Sequence, residues 1–200
     1  MNKSNIILIF TLLCVSAISL AQQQASKSHL TDEKNISAFL AAAAETGIGP
    51  ILISASDFPI ENTGFYRHKG WLAINPTQLK SATTELEFIF REGKYDLIFS
   101  GVGEYDGESA YVLSVNGKQA MNFKVRLSTF SYEEGVDFSY LIENIQLKPG
   151  DMLKVTATVG TDGAEFSRAR WGGIILVMAG KGKQLMNKLK NSGTTETLKK

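Results

Sequence analysis

"LKVTATV", residues Leu153–Val159, alternates apolar and polar positions without a break. Leu153, Val155, Ala157 and Val159 fall on one side of an extended chain, and Lys154, Thr156 and Thr158 on the other. "TELEFIF", Thr84–Phe90, repeats the pattern, with Leu86, Phe88 and Phe90 opposed to Glu85 and Glu87. A period of two with one wetted face marks half-buried strands in antiparallel sheets.

Outward from these two segments the texture persists. "ILISASDF", "YDLIFSGVG", "SAYVLSVNG", "NFKVRL", "FSYLIENIQL" and "WGGIILVM" are short runs rich in β-branched and aromatic residues. "REGK", "EYDGES", "NGKQ", "KPGD" and "TDGAE" punctuate them with turn residues. About eight strands between residues 50 and 180 predict an all-β fold, a β-sandwich of jelly-roll type. "GFYRHKGWLAINP" reads as a polar, aromatic-rich loop between two strands.

The flanks differ from this body. Residues 1–21 combine Lys3, the apolar run "IILIFTLLCVSAISL" and the small-x-small site "SLA", the pattern of a signal peptide cleaved after Ala21. The run is short for a membrane span, which needs about 20 apolar residues. No later segment is apolar for long enough to span. The only cysteine, Cys14, lies in this leader, so the mature chain is expected to hold no disulfide. Residues 22–49 form a polar N-terminal segment with one amphipathic helix, in which Ile36, Phe39, Leu40 and Ala43 follow a Thr31 or Asp32 cap. Residues 181–200 read as a basic C-terminal tail, disordered by composition despite a weak stripe of Leu185, Met186 and Leu189.

Residues 22–180 carry 14 basic and 19 acidic residues, a balance of −5. That sign argues against nucleic acid as a partner. The two histidines, His29 and His68, belong to no HExxH or triad pattern, and no P-loop, GxSxG or paired CxxC is present. "GEYDGES" gathers Glu104, Asp106 and Glu108. This cluster is a turn, with two alternatives: Asp106 and Glu108 as weak ligands for Ca²⁺, or an acid/base pair for glycoside cleavage. No catalytic residue is assigned, and no enzyme activity is expected.

The aromatic loops are more informative. Tyr66, Arg67, Trp71 and Asn75 cluster in "GFYRHKGWLAINP". Arg168 and Arg170 sit just ahead of the strand "WGGIILV". Flat rings beside Arg and Asn match the apolar faces and hydroxyl rims of sugars, and Arg also matches a sulfate or carboxylate. If Arg168 and Arg170 share a face, Trp171 points inward. The arginines then either project toward a ligand or pair with Glu165, Glu61 or Asp162.

"EGKYDLIFSGVGEYDGESAYVLSVNGKQ" resembles the central strands of galactose-binding-like β-sandwiches, in particular the carbohydrate-binding modules of families six and thirty-five. Gly93, Tyr95, Leu97, Gly107, Val112 and "SVNGK" carry the likeness. "IQLKPGDMLKV" and "SRARWGGIILV" resemble the last two strands, so the likeness runs from about Ile51 to Val177. It implies a sugar site in loops at one end of the sandwich, here "GFYRHKGWLAINP" and "TDGAEFSRARWGG". The family's glutamates for a structural Ca²⁺ would fall at Ser54 and Ser56, and its closing-strand aspartate is missing, so no cofactor is expected. The resemblance implies an exported, periplasmic or extracellular, non-catalytic module. Its expected partners are a polysaccharide or oligosaccharide, neutral or anionic, and a glycan-degrading enzyme. A structural or adaptor domain binding protein, and a small glycan-cleaving enzyme, are the alternatives.

Overall fold

The alternating stretch 153–159 becomes the centre of a four-stranded sheet. A computed structural model of the chain describes residues 50–197. The leader at 1–21 and the helix expected within 22–49 lie outside the described residues. Strands β4 (Ser81–Glu87), β11 (Met152–Thr158), β7 (Ala110–Val115) and β8 (Lys118–Lys124) pair in that order. A larger sheet runs β10 (Ser139–Leu147), β5 (Gly93–Gly101), β12 (Trp171–Met178), β3 (Trp71–Ile74) and β2 (Phe65–His68), with β1 (Ile51–Ser54) also on β12. Two short strands, β6 (Gly103–Glu104) and β9 (Tyr132–Glu133), pair separately. All these pairings are antiparallel, as the period of two requires.

The inner faces meet in one core. Leu153, Val155 and Ala157 of β11 and Tyr111 and Leu113 of β7 bury against Leu97 and Phe99 of β5 and Trp171, Ile174 and Leu176 of β12. Trp171 is fully buried, stacked on Phe99 at 5.4 Å between centroids and edge-on to Phe58 at 5.1 Å. It points inward, although Arg168 and Arg170 do not share the face on which that expectation was conditioned. The all-β sandwich class therefore stands.

Two expectations are corrected. "GFYRHKGWLAINP" is not a loop but the β2–β3 hairpin, closed by Lys69 (φ 49°) and Gly70 (φ 87°). Two consecutive positive φ values make the tight turn that matches strand twist, and Asn116–Gly117 makes the same turn between β7 and β8. The Asn-Gly version is a familiar signal, whereas Lys-Gly is not. Within the tail expected to be disordered, helix α1 spans Gly182–Thr197. Leu185 is buried with Ile98 and Val177 on the outer face of the larger sheet, flanked by Met186, Leu189, Leu141 and Leu52. Buried Asp96 of β5 anchors the start of α1. Its Oδ2 accepts from the N–H groups of Gly180 at 2.8 Å and Gly182 at 2.9 Å, and its Oδ1 from Asn144 N at 3.1 Å. A Cβ at Gly182 would lie 2.5 Å from Leu141 Cδ1 and 2.8 Å from Asp96 Cβ, so only glycine permits this approach.

Candidate functional site

Arg168, Ala169 and Arg170 turn the chain sharply into β12. Ala169 is buried with φ 46°, so the flanking N–H groups converge on one point, as in an anion-binding nest. That point is Glu104 Oε2, which accepts from Arg168 N at 3.0 Å and Arg170 N at 3.4 Å. Glu104 Oε1 accepts from Arg170 Nη1 in an ion pair with Glu104 1% and Arg170 9% exposed. Burial pushes the Glu104 pKa up, Arg170 pulls it down, and Asp106 adds to the rise.

The two arginines therefore part. Arg170 is internal, and its carbonyl accepts from the buried Tyr111 hydroxyl at 2.6 Å. Arg168 reaches outward, its Nη1 donating to Tyr66 Oη at 3.3 Å. It lines an open cleft of about 610 Å³ with Tyr66, Asn75, Asp106, Glu165 and Phe166. The turn after β3 and the loop before β12 form its walls. Asn75 shapes the first wall, since its side-chain oxygen accepts from Thr77 N at 3.1 Å and Thr77 Oγ1 at 2.8 Å. Lys80 Nζ sits 3.2 Å over the Phe166 ring, which joins the two walls.

The Asp106 wall is held by backbone. Gly107 and Gly160 approach so closely that a Cβ on either would strike the opposite loop's main chain. Asp162 N donates to Asp106 O at 3.1 Å, and Ser109 Oγ donates to Ser167 Oγ at 2.9 Å. Asp106 Oδ1 is buried at the cleft and has no hydrogen-bond partner among the described residues. Burial raises the Asp106 pKa. A buried acceptor of this kind favours a hydroxyl donor.

Of the expected binding residues, Tyr66, Asn75 and Arg168 meet in the cleft; Arg67, Trp71 and Arg170 do not line it. Arg67 is exposed and its Nη1 donates to Ser56 O at 2.6 Å. Trp71, expected as a sugar platform, is 4% exposed and its indole N–H donates to Glu134 Oε2 at 2.9 Å. It sits on the outer face of the sheet beneath other rings, so burial removes its face from a ligand in the cleft. Arg170 pairs with Glu104 rather than with Glu165, Glu61 or Asp162. The three acids of "GEYDGES" diverge: Glu104 is internal, Asp106 faces the cleft and Glu108 is exposed. Phe166 and Glu165 also line the cleft, from the loop that the resemblance implies; Glu165 reads in the sequence only as an ion-pair partner, and Phe166 carries no signal of its own. His68 stacks on Trp71 at 6.1 Å, and its pKa is lowered by burial first and then by Arg170, Arg168 and Lys69.

The stretch where the resemblance would put Ca²⁺ ligands forms a capped turn instead. Ser54 Oγ accepts from Ser56 N at 3.1 Å and Asp57 Oδ2 from Ser54 N at 2.8 Å, a reciprocal cap on a single 3-10 turn. Opposite them, Gly173 packs on the β1 backbone, where a Cβ would lie 2.5 Å from Ile53 O. Two serines and a capping aspartate do not fit a cation that takes 6–8 oxygens.

No family model matches the chain. "Uncharacterized protein P23" of Formosa agariphila is 40% identical over 131 residues, which are 65% of this chain and 32% of that protein. The chain thus spans about a third of the length of that relative. Similar solved structures include a family 35 carbohydrate-binding module from Clostridium thermocellum, with TM-score 0.46 and 14% identity over 66% of this chain and 100% of that one. A Podospora anserina GH26-CBM35 β-(1,4)-mannanase matches at TM-score 0.44 and 15% identity, over 64% of this chain and 27% of that one. A Paenibacillus xanthan lyase matches at TM-score 0.43 and 20% identity, over 64% and 13%. Among the described residues, no helix is long and apolar enough to cross a membrane.

Proposed function

We propose that the protein is an exported, non-catalytic carbohydrate-binding module that takes a sugar of an oligosaccharide or polysaccharide in the cleft. The observation that carries this reading is the juxtaposition of Arg168, a donor, and Asp106, an unmet acceptor, in one cleft with Phe166 and Tyr66. A sugar offers an acceptor oxygen to the first, a hydroxyl to the second and C–H surface to the rings. A carboxylate or sulfate on the glycan would meet Arg168, the cleft's strongest anion-binding group. Export rests on the leader at 1–21, and the intact mass of the secreted protein, starting at Gln22, tests it.

The site is tested by titrating wild type, Arg168→Ala and Asp106→Asn against glycans found in a screen of neutral and sulfated polysaccharides. A charge-assisted bond is worth about 1.5–3 kcal/mol, so losing Arg168 weakens binding roughly ten- to hundredfold. An anionic glycan loses affinity as salt rises, and a neutral one does so only weakly. Two folded variants that bind like wild type place the site elsewhere. Failure of every glycan in the screen overturns the reading.

A further inference from the structure

The cleft is continuous with a row of rings along the outer face of the larger sheet. Tyr66 and His68 are two apart on β2, and Trp71 pairs with His68 across the hairpin, so the three share one face. Tyr66 and His68 meet edge to face at 6.1 Å, His68 and Trp71 stack at 6.1 Å and 17°, and Trp71 meets Tyr132 at 5.0 Å. Tyr132 is placed from the other side by the ladder between β6 and β9, opposite Glu104, and lies over the Arg170 guanidinium at 5.7 Å. Trp71 is the buried base. Tyr132 remains 40% exposed, and Phe130 beside it is 68% exposed. Gly172 lies beside this base, where a Cβ would stand 3.4 Å from Ser100 Oγ and 3.7 Å from Trp71 Cδ1.

This row extends well past one sugar ring. Partly exposed rings (Tyr66, His68 and Tyr132) arranged over a buried Trp71 beside a cleft mark a contact surface. Its first member, Tyr66, already lines the cleft, which argues for the same occupant over both. We infer that Tyr132 and His68 form a second subsite, so that the protein binds an internal stretch of an oligosaccharide chain rather than a terminal sugar alone. The inference rests on the cleft being a sugar site. It adds that the ligand runs from Arg168 and Tyr66 across His68 to Tyr132.

The test is the dependence of affinity on chain length. β-1,4-linked manno-, xylo- and gluco-oligosaccharides and α-1,4-linked oligogalacturonates, each of two to six residues, are titrated calorimetrically against the full chain. For a series that binds, the hexasaccharide is expected to bind at least threefold to tenfold more tightly than the disaccharide, the worth of one further aromatic contact. Tyr132→Ala abolishes this gain and Tyr132→Phe keeps it. Tyr132 also packs on Trp71, so NMR on wild type provides a variant-free readout: the Tyr132 ring signals shift with the hexasaccharide and not with the disaccharide. Equal affinity for all lengths, or a length gain without a Tyr132 response, overturns the second subsite and leaves the cleft standing. No binding by any series, nor by any neutral or sulfated polysaccharide of the screen, removes both.

Discussion

Glu104 and Arg170 form a buried ion pair in which the carboxylate also receives two backbone N–H groups, those of Arg168 and Arg170. The pair thus sets the course of the chain that delivers Arg168 to the cleft. Removing one member leaves the other charged and buried. Glu104→Ala is expected to destabilise the fold by about 3–5 kcal/mol, read by urea denaturation. The double variant Glu104→Leu/Arg170→Met removes both charges but leaves the two N–H groups unmet. It is expected to recover part of the loss and stay about 1–3 kcal/mol below wild type. Full recovery would show that the backbone contacts contribute nothing.

Binding in the cleft is expected to depend on pH through Asp106. Burial raises its pKa, so protonation on acidification begins above the usual carboxylate range. The ionised form accepts two or more hydroxyls and the protonated form fewer, so affinity falls as pH falls through the raised pKa. Titrations at several pH values check this, and Asp106→Asn should flatten the profile. A wild-type profile that is flat from neutral pH down to the usual carboxylate range contradicts the role given to Asp106.

Helix α1 covers apolar surface that the sheet would otherwise expose. Leu185 is 1% exposed against Ile98 and Val177. Leu185→Ala is expected to cost about 2–4 kcal/mol, measured by chemical denaturation. A loss under about 0.5 kcal/mol, the level of an ordinary surface site, would mean that the helix is not docked in solution.

Chelation is expected to leave thermal stability unchanged within about two degrees. A ligand stabilises a fold only by binding the folded state, and in the Ser54–Asp57 turn Ser54 Oγ and Asp57 Oδ2 already accept from backbone N–H groups. A fall of many degrees in EDTA, restored by Ca²⁺, would locate a cation that these residues do not explain.

Much of the site was legible in part. Arg168, Tyr66 and Asn75 were singled out as polar or aromatic residues near strand ends, and the fold brings them to one cleft. Arg170 looked equivalent to Arg168 because both follow an alternating count. Ala169 breaks that count with a left-handed backbone, which alanine rarely adopts, and one guanidinium turns inward. Trp71 reads as a platform only while its hairpin reads as a loop, and Phe166 beside the arginines carries no pattern that marks it.

By itself the sequence determined most of the strands and the antiparallel sandwich, because side-chain alternation is a local property that the sheet only amplifies; the β2–β3 hairpin and the turn at Ala169 that leads into Trp171 lay beyond it. Only the tertiary structure decided the helix over residues 182–197, whose weak apolar stripe becomes stable once it has Ile98 and Val177 to bury against. It alone decided that Glu104, 66 positions before Arg170, would neutralise that arginine, and that Asp106 would face a cleft. Charge pairing and burial are set by distances through space. No spacing along the chain encodes them.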